Sequence, residues 1–199
     1  MDSQNKNTVL DAIKNRRSTR SYLKDPVSEE IISEILEAGR HAPSAMNTQA
    51  THFYVITSEE KRAELRQIVT EILAETPEQE GMHATQLDLI RRAKEGEVDV
   101  TYGAPVLIVT TSVKGSQNAA ADCSCALQNM MVAACANELG CVWVNRFFML
   151  RDDPRIKKFF FAAGVTEEEE LCGSVALGYA ENLETEPLPR TGFPVTYIR

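Results

Sequence analysis

The most chemically suggestive stretch of the sequence is a short run of cations and hydroxyls near the N-terminus. Arg16, Arg17 and Arg20 flank the hydroxyls of Ser18 and Thr19. A phosphate is held best where guanidinium groups and hydroxyl or amide donors meet at one point. Alternate residues of an extended segment share a face, so Ser18 and Arg20 are expected to point the same way. The run therefore predicts an anion site, although the same cations would also complement the dipole at the C-terminal end of a helix.

A second run, Pro43 to Gln49, consists of small and amide side chains. Small side chains allow a backbone to approach a planar ligand, and Asn47 and Gln49 can each donate and accept hydrogen bonds. Such a set suits a ring that carries both carbonyl and N–H groups on its edge, although a simple connecting loop would have the same composition. The binding candidates in this run are Pro43, Ser44, Ala45, Met46, Asn47 and Gln49.

The charge balance of the chain makes the arginine run stand out. The 199 residues carry a net charge of -8, with 43% hydrophobic and 25% charged residues, which is typical of one globular domain with a core. An acidic protein is not expected to bind nucleic acid or anionic membranes as its main partner. The polar N-terminus and the absence of long apolar runs predict a cytoplasmic protein without a signal peptide or membrane span.

Other kinds of site receive little support from the sequence. The five cysteines lack metal-finger spacing and the three histidines are scattered, so no metal site is predicted. Neither a glycine-rich dinucleotide or phosphate loop nor a G-x-S-x-G elbow occurs. Cys123 and Cys125 form a conceivable redox pair, but buried, reduced thiols are the simpler interpretation. Trp143 lies in an apolar strand and either packs in the core or contacts a ligand.

Hydrophobic spacing predicts helices interleaved with strands, an α+β (mixed α/β) class in one domain, residues 1–199. Helices are predicted at 7–16, 28–41, 58 to about 74, 84–95, 118–139 and 154–161, and strands at 52–57, 104–111, 141–145 and 172–179.

Three of these segments carry further expectations. The helix at 118–139 is apolar nearly all round, so it is central or packs against another subunit, and Gly140 is expected to end it. The segment 74–103, with its helix largely exposed, is predicted to be an excursion over a ligand site. Residues 182–199 lack helical periodicity and are predicted to form an extended tail.

The order of these segments resembles that of the FMN-dependent nitroreductase family, as a short-form member. The matching stretches are residues 12–22, 38–49, 53–56, Asp122 with 126–130, Leu139-Gly140, Trp143, Gly178-Tyr179 and the proline-rich tail with Arg190. The resemblance implies a central mixed sheet flanked by helices and an obligate homodimer built on the long apolar helix. It also implies two FMN sites at the subunit interface and a C-terminal tail that crosses to the partner subunit.

The same resemblance implies roles for the candidate residues. The arginine run would hold the phosphate and ribityl groups of FMN and reach the pyrimidine edge of its ring, and Arg190 would join the phosphate. The 43–49 run would be supplied by the other subunit. A third segment would lie beside the ring and its N5 atom. The residues implied at the phosphate end are Arg16, Arg17, Ser18, Arg20 and Arg190, and those of the third segment are Trp143, Asn145 and Arg146.

The implied activity is electron transfer from NAD(P)H through FMN to a nitroaromatic, quinone or similar acceptor, in ping-pong fashion. The flavin makes and breaks the bonds, so no protein acid or base is required. Oxygen-dependent flavin cleavage, reductive dehalogenation and FMN storage remain alternatives. The chain departs from the family pattern at Ala50-Thr51, at Arg146, where a small residue is common, and at Cys123-Ser124-Cys125. These departures leave the substrate more open than the cofactor.

Overall fold

The computed structural model describes residues 3–96, 98–182, 190–192 and 194–199. Within them, seven α-helices, one 3-10 turn and four strands alternate along the chain. The helices are α1 Ser3–Asn15, α2 Glu29–Arg40, α3 Glu59–Glu75, α4 Ala84–Glu95, α5 Ala119–Ala136, α6 Arg146–Met149 and α7 Pro154–Ala162, with the 3-10 turn at Ala45–Asn47. The strands are β1 His52–Ile56, β2 Val106–Val113, β3 Gly140–Trp143 and β4 Glu169–Gly178.

The four strands form one sheet in the order β1-β2-β4-β3, and every neighbouring pair is antiparallel. A parallel pairing enters only as an isolated bridge between Ser18 and Cys141, beside β3. The α+β class is confirmed. In the described residues, the mixed character expected of the sheet is limited to that bridge.

The sheet separates two hydrophobic layers. On β2, Leu107 and Val109 face one layer while Val106 and Ile108 face the other, because successive strand residues point to opposite faces. Helices α3, α4 and α7 cover the first layer, and α2 and α5 cover the second. Burial on both faces explains the uninterrupted apolar run that predicted this strand.

Most helix starts follow from their capping residues. Ser28 Oγ accepts from the Ile31 N–H at 3.3 Å and Ser58 Oγ accepts from the Lys61 N–H at 3.3 Å, so these serines cap α2 and α3 at the predicted starts of both helices. Helix α4 is largely exposed, as predicted, but Ile90 on it is completely buried in the core layer that α3 also covers. The excursion at 74–103 therefore contributes to the core.

The end of α5 differs from its prediction. The helix ends at Ala136, and Glu138 rather than Gly140 adopts the left-handed conformation, with φ 59°. Gly140 begins β3 instead. A Cβ at this position would lie 2.6 Å from Thr19 Oγ1 and 2.9 Å from Thr19 Cβ, so the glycine serves the close approach of two chain segments.

Glu169 joins the start of β4 to β1 and β2. Its carboxylate accepts hydrogen bonds from Thr111 Oγ1 at 2.6 Å, the Thr166 N–H at 3.0 Å and the Tyr54 hydroxyl at 3.0 Å, and its side chain is only 17% exposed. Burial by itself would raise the pKa of Glu169, but these hydrogen bonds and nearby His52 outweigh it and lower the pKa to about 2.

Replacing Gly140 with alanine is expected to destabilise the fold by about 1–3 kcal/mol, because the added methyl group overlaps Thr19. The free energy of unfolding, measured by chemical denaturation, checks this. Gly96→Ala is the matched control, since a Cβ at Gly96 meets no atom within 4 Å and its φ of 173° is extended. Equal stability of the two variants would contradict the close approach.

Glu169 should also make stability depend on pH. Because the pKa is lowered in the folded state from 4.5, its contribution is complete above about pH 4.5 and is lost as the pH falls toward 2. The free energy of unfolding should therefore fall more steeply between pH 5 and 2 in the wild type than in Glu169→Gln. The exposed neighbour Glu167, changed to Gln, provides the control, and parallel curves for wild type and Glu169→Gln would refute the assignment.

Candidate functional site

A cleft of about 1180 Å³ opens between the end of α1, the C-terminal end of α5 and one edge of the sheet. The first predicted run forms one wall of it. The residues lining the cleft are Asn15, Arg16, Arg17, Ser18, Thr19, Arg20, Ser21, Leu23, Asp25, Cys135, Glu138, Leu139, Gly140, Cys141, Tyr179, Ala180 and Asn182.

The backbone of the arginine run is held against the sheet. The Thr19 N–H donates to the Cys141 carbonyl at 2.9 Å, and the Leu23 N–H donates to the Tyr179 carbonyl at 2.9 Å. Between them, buried Tyr22 donates its hydroxyl to the Thr19 carbonyl at 3.0 Å, and burial raises the pKa of that hydroxyl. The run is therefore an extended, fixed segment, as its pattern predicted.

Arg17 bears on both interpretations that the sequence left open, the capping of a helix and the binding of an anion. Its Nη1 donates to the carbonyls of Lys14 and Arg16, both at 2.8 Å, so it caps the C-terminal end of α1. Its Nε is buried and has no acceptor among the described residues. Leaving a buried donor without an acceptor costs about 1–3 kcal/mol, and more for a charged group. A bound group that accepts hydrogen bonds would remove this cost.

The charges in the cleft are mostly uncompensated. Among the described residues, none of Arg16, Arg17 and Arg20 has a carboxylate oxygen within 4.0 Å, although Asp25 and Glu138 also line the cleft. Unpaired guanidinium groups are unexpected in a protein with a net charge of -8. Guanidinium groups bind phosphate oxygens in pairs. The geometry thus supports an anion site at the predicted position.

The cysteines do not supply a nucleophile to this cleft. Burial raises the pKa of Cys141 to about 11, and burial also raises the pKa of Cys135; Arg16 partly opposes both effects. Both thiols stay protonated at neutral pH.

Cys123 and Cys125 diverge on α5, since the first is fully buried and the second exposed. Their geometry does not favour the redox pair considered from the sequence.

The 43–49 run forms a strained loop. Met46, Asn47 and Gln49 all adopt positive φ, at 50°, 55° and 51°, which is uncommon for residues other than glycine. The loop is held by the Asp122 carboxylate, which accepts from the Ala45 N–H at 3.1 Å. Met46 is 93% exposed. Strain of this kind persists where the surrounding structure enforces it, often at binding sites.

One copy of the chain does not bring the two runs together. Asp122, in the first turn of α5, holds the loop, whereas Cys135 and Glu138, at the other end, line the arginine cleft. At 1.5 Å per residue these positions are roughly 20–25 Å apart. None of the residues from Pro43 to Gln49 lines the cleft.

The third predicted segment runs from the last residue of β3 into the start of α6, outside the cleft lining. Trp143 is half-buried, with its indole against Gly173, and its Nε1–H donates to Asn145 Oδ1 at 3.4 Å. Arg146 begins α6 and is half-buried. Arg190 is exposed, and residues 183–189 and 193 of the predicted tail lie outside the described residues.

Tyr102 is a neighbour of the cleft that sequence reasoning missed. The guanidinium carbon of Arg20 lies 5.9 Å from the centroid of its ring, a cation–π distance. Tyr102 has φ 59° and belongs to a turn in which Asp99 accepts from the Thr101 and Gly103 N–H groups at 2.7 and 2.8 Å. The adjacent Tyr-Gly pair marks a turn in the sequence, but nothing there relates it to Arg20.

Two other kinds of feature are absent from the part of the chain that the structure describes. None of the helices combines the length and hydropathy that crossing a membrane requires. Among the described residues, histidine, cysteine and acidic side chains do not gather in groups of three that could hold a metal ion.

Comparison with known proteins relates this geometry to a family. The sequence profile of the Nitroreductase family matches residues 13–179. A protein of Methanothermobacter thermautotrophicus, provisionally named an NADH dehydrogenase/NAD(P)H nitroreductase, is 30% identical over 185 residues, covering 90% of this chain and 82% of that protein. The crystal structure of a nitroreductase with bound FMN from Bacteroides fragilis has a TM-score of 0.85 at 30% identity, covering 96% of this chain and 98% of that one. An FMN-bound nitroreductase from Desulfitobacterium hafniense has a TM-score of 0.82 at 25% identity, with the same coverage of 96% and 98%. With most of its length matched on the same fold, this chain belongs to the nitroreductase family.

Proposed function

We propose that the protein is an FMN-dependent oxidoreductase that passes electrons from NAD(P)H to a nitroaromatic, quinone or similar acceptor by a ping-pong mechanism. The observation that carries this proposal is the cleft of unpaired guanidinium groups, above all the buried Arg17 Nε without an acceptor. The FMN-bound structures of two relatives support FMN as the anion that this cleft would bind.

The residues of the cleft fit FMN in chemical type. Arg16, Arg17 and Ser18 would hold the phosphate and ribityl groups, where forked donors and a hydroxyl meet. Arg20 would donate to the pyrimidine edge of the ring, favouring negative charge there. Arg17 Nε would gain the acceptor that it lacks among the described residues. FMN supplies a ring that accepts a hydride and releases electrons, while the protein supplies position and charge.

A homodimer would bring the two predicted runs together. An antiparallel pair of α5 helices, one from each subunit, would set the 43–49 loop of one copy beside the arginine cleft of the other. The outward side of α5 suits such contact because it bears no charge. It consists of Ala121, Cys125, Gln128, half-buried Val132 and Ala136.

Other apolar groups extend this unpartnered surface. Helix α1 packs on α5 and exposes Val9, Leu10 and Ile13. In the tail, Ile198 is 97% exposed. Exposed apolar groups on two packed helices are typical of an interface, and an exposed isoleucine in the tail is suited to contact a partner. They support a tail that crosses to the partner subunit, where Arg190 would join the phosphate.

The first test is direct. The purified protein should be yellow, bind FMN and oxidise NADH or NADPH when menadione is added. Arg20→Gln should weaken FMN binding about tenfold or more, because a hydrogen bond to a charged group contributes about 1.5–3 kcal/mol. Fluorescence titration of FMN measures this effect.

Arg91→Gln, on the exposed face of α4 and paired with Glu78, is the matched control and should leave FMN affinity unchanged. A colourless protein that takes up no FMN would overturn the proposal. If the protein binds FMN but neither NADH nor NADPH reduces the bound flavin, flavin storage replaces electron transfer as the proposed function.

The dimer has its own test. Cys125→Arg places a charge on the uncharged side of α5, so the variant should sediment as a monomer and lose FMN affinity together with the dimer. Gln67→Arg, on the exposed side of α3, should stay dimeric. Sedimentation velocity at matched concentrations checks both. A wild-type protein that is monomeric yet binds FMN fully would contradict the shared site.

A further inference from the structure

Cys123 and Cys172 are two buried thiols that the proposed function leaves unused. All five cysteines of the chain are free thiols in the structure. Cys123 lies near the start of α5, and Cys172 lies in β4. Together with Ala119 they form a small buried cluster of their own, separate from the two main layers of the core. Two cysteines from different elements therefore meet where water has little access.

The backbone brings the two cysteines together at one point. The register between β2 and β4 shifts at Thr111, so Cys172 occupies a β-bulge and faces no partner residue on β2. Cys123 Sγ donates to the carbonyl of the same Thr111 at 3.6 Å. The sulfur of Cys123 is therefore held at the bulge, next to Cys172.

The two thiols differ in acidity. A hydrogen bond between them lowers the pKa of Cys123 and raises the pKa of Cys172, and burial raises the pKa of Cys172 further. The thiolate is the form of cysteine that attacks an oxidant. Cys123 is therefore suited to act as the nucleophile, while Cys172 keeps its proton and supplies the second thiol.

Cys123 also contacts the chain around the 43–49 loop. Thr51 Oγ1, two residues beyond the loop, lies 3.6 Å from Cys123 Sγ. Asp122, which precedes Cys123, holds the loop through the Ala45 N–H. Because Cys123 is completely buried, an oxidant reaches it only when the surrounding chain opens locally. The strained loop is suited to such opening, which requires less free energy than global unfolding and admits only small molecules.

We propose that Cys123 and Cys172 form a reversible redox pair, in which a small peroxide converts the two thiols to a disulfide that loosens the 43–49 loop. Neither cysteine lines the arginine cleft, so this chemistry goes beyond the proposed function and needs no flavin. The partner of Cys123 is then a residue of β4 and not Cys125 of its own helix.

The reaction proceeds in two balanced steps. The Cys123 thiolate attacks one oxygen of hydrogen peroxide, an S–O bond forms, the O–O bond breaks, and the departing hydroxide takes up a proton to become water. The sulfur of Cys172 then attacks the sulfenic acid on Cys123, the S–S bond forms, and the S–O bond breaks. The Cys172 proton leaves with the second hydroxide as water. Two thiols thus lose two electrons, and one peroxide is reduced to two molecules of water.

The disulfide should disturb the anchor of the loop. Covalently joined sulfurs lie closer together than two free thiols can approach. Because Cys172 is fixed in the sheet, the start of α5 should move toward β4 and carry Asp122 away from the Ala45 N–H. Oxidised Cys123 also has no thiol hydrogen to donate to the Thr111 carbonyl.

The test uses the full-length protein, first reduced and then treated with hydrogen peroxide. After the remaining thiols are alkylated in denaturant, peptide mapping by mass spectrometry should find Cys123 linked to Cys172, and dithiothreitol should reverse the link. Hydrogen exchange of the Ala45 amide should become about tenfold faster or more in the oxidised protein, because its hydrogen bond to a charged carboxylate is lost.

Two variants separate the roles of the cysteines. Cys125→Ser removes an exposed thiol from the same helix and is the matched control, so it should form the link at the wild-type rate. Cys172→Ala should accumulate sulfenic acid on Cys123, which dimedone traps, and its loop exchange should not respond to peroxide. The wild-type peptide map needs no substitution, so it tests the link even when Cys172→Ala does not fold.

Three results would overturn the proposal. In the first, peroxide oxidises Cys125 while Cys123 and Cys172 stay reduced. In the second, Cys123 is linked to Cys125. In the third, the link between Cys123 and Cys172 forms but exchange in the 43–49 loop does not change. None of these results bears on FMN binding by the arginine cleft, which the colour of the protein and the FMN titration test separately.

Discussion

The close contact between the 16–20 segment and β3 is the constraint on which the cleft depends. The hydrogen bond from the Thr19 N–H to the Cys141 carbonyl aligns the segment with the sheet edge, and Gly140 gives Thr19 the room to approach. With its backbone fixed in this way, the segment presents its arginines on the wall of the cleft, where none of them has a carboxylate oxygen within 4.0 Å among the described residues. The cations therefore stay unpaired at one point, which is the condition for binding an anion.

Unpaired charge recurs at two places with different geometry. In the cleft, Arg17 uses one nitrogen to cap α1 and leaves Nε buried without an acceptor. Beyond β3, the half-buried side chain of Arg146 makes no hydrogen bond and no ion pair among the described residues. Both are costs to the fold that binding would offset. Such unpaired charges are typical of functional sites, because natural proteins depart from the usual rules of packing and charge pairing mainly where they bind or react.

Helix α5 is the reason why the proposed shared site requires a second copy of the chain. Its first turn anchors the strained 43–49 loop through Asp122, and its last turn borders the arginine cleft. Because a helix is stiff, it holds these two half-sites apart within one subunit. Its uncharged outward side offers a surface on which two copies could pair and unite the halves. The strained 43–49 loop would therefore contribute to a binding site only in the proposed homodimer.

The order of the elements, the cluster of arginines at 16–20 and the family could be recognised from the sequence alone, because capping serines, apolar periodicity and clustered arginines are local signals. Ser28 and Ser58 began their helices as predicted, and the class was correct. Features that depend on residues distant in sequence appeared only in the folded structure. Glu138 adopts the left-handed conformation, and Gly140 allows another chain segment to approach closely. Ile90 is buried, and Tyr102 comes from a remote turn to lie beside Arg20. No spacing along the chain encodes such contacts, since they arise only when the sheet packs its two layers.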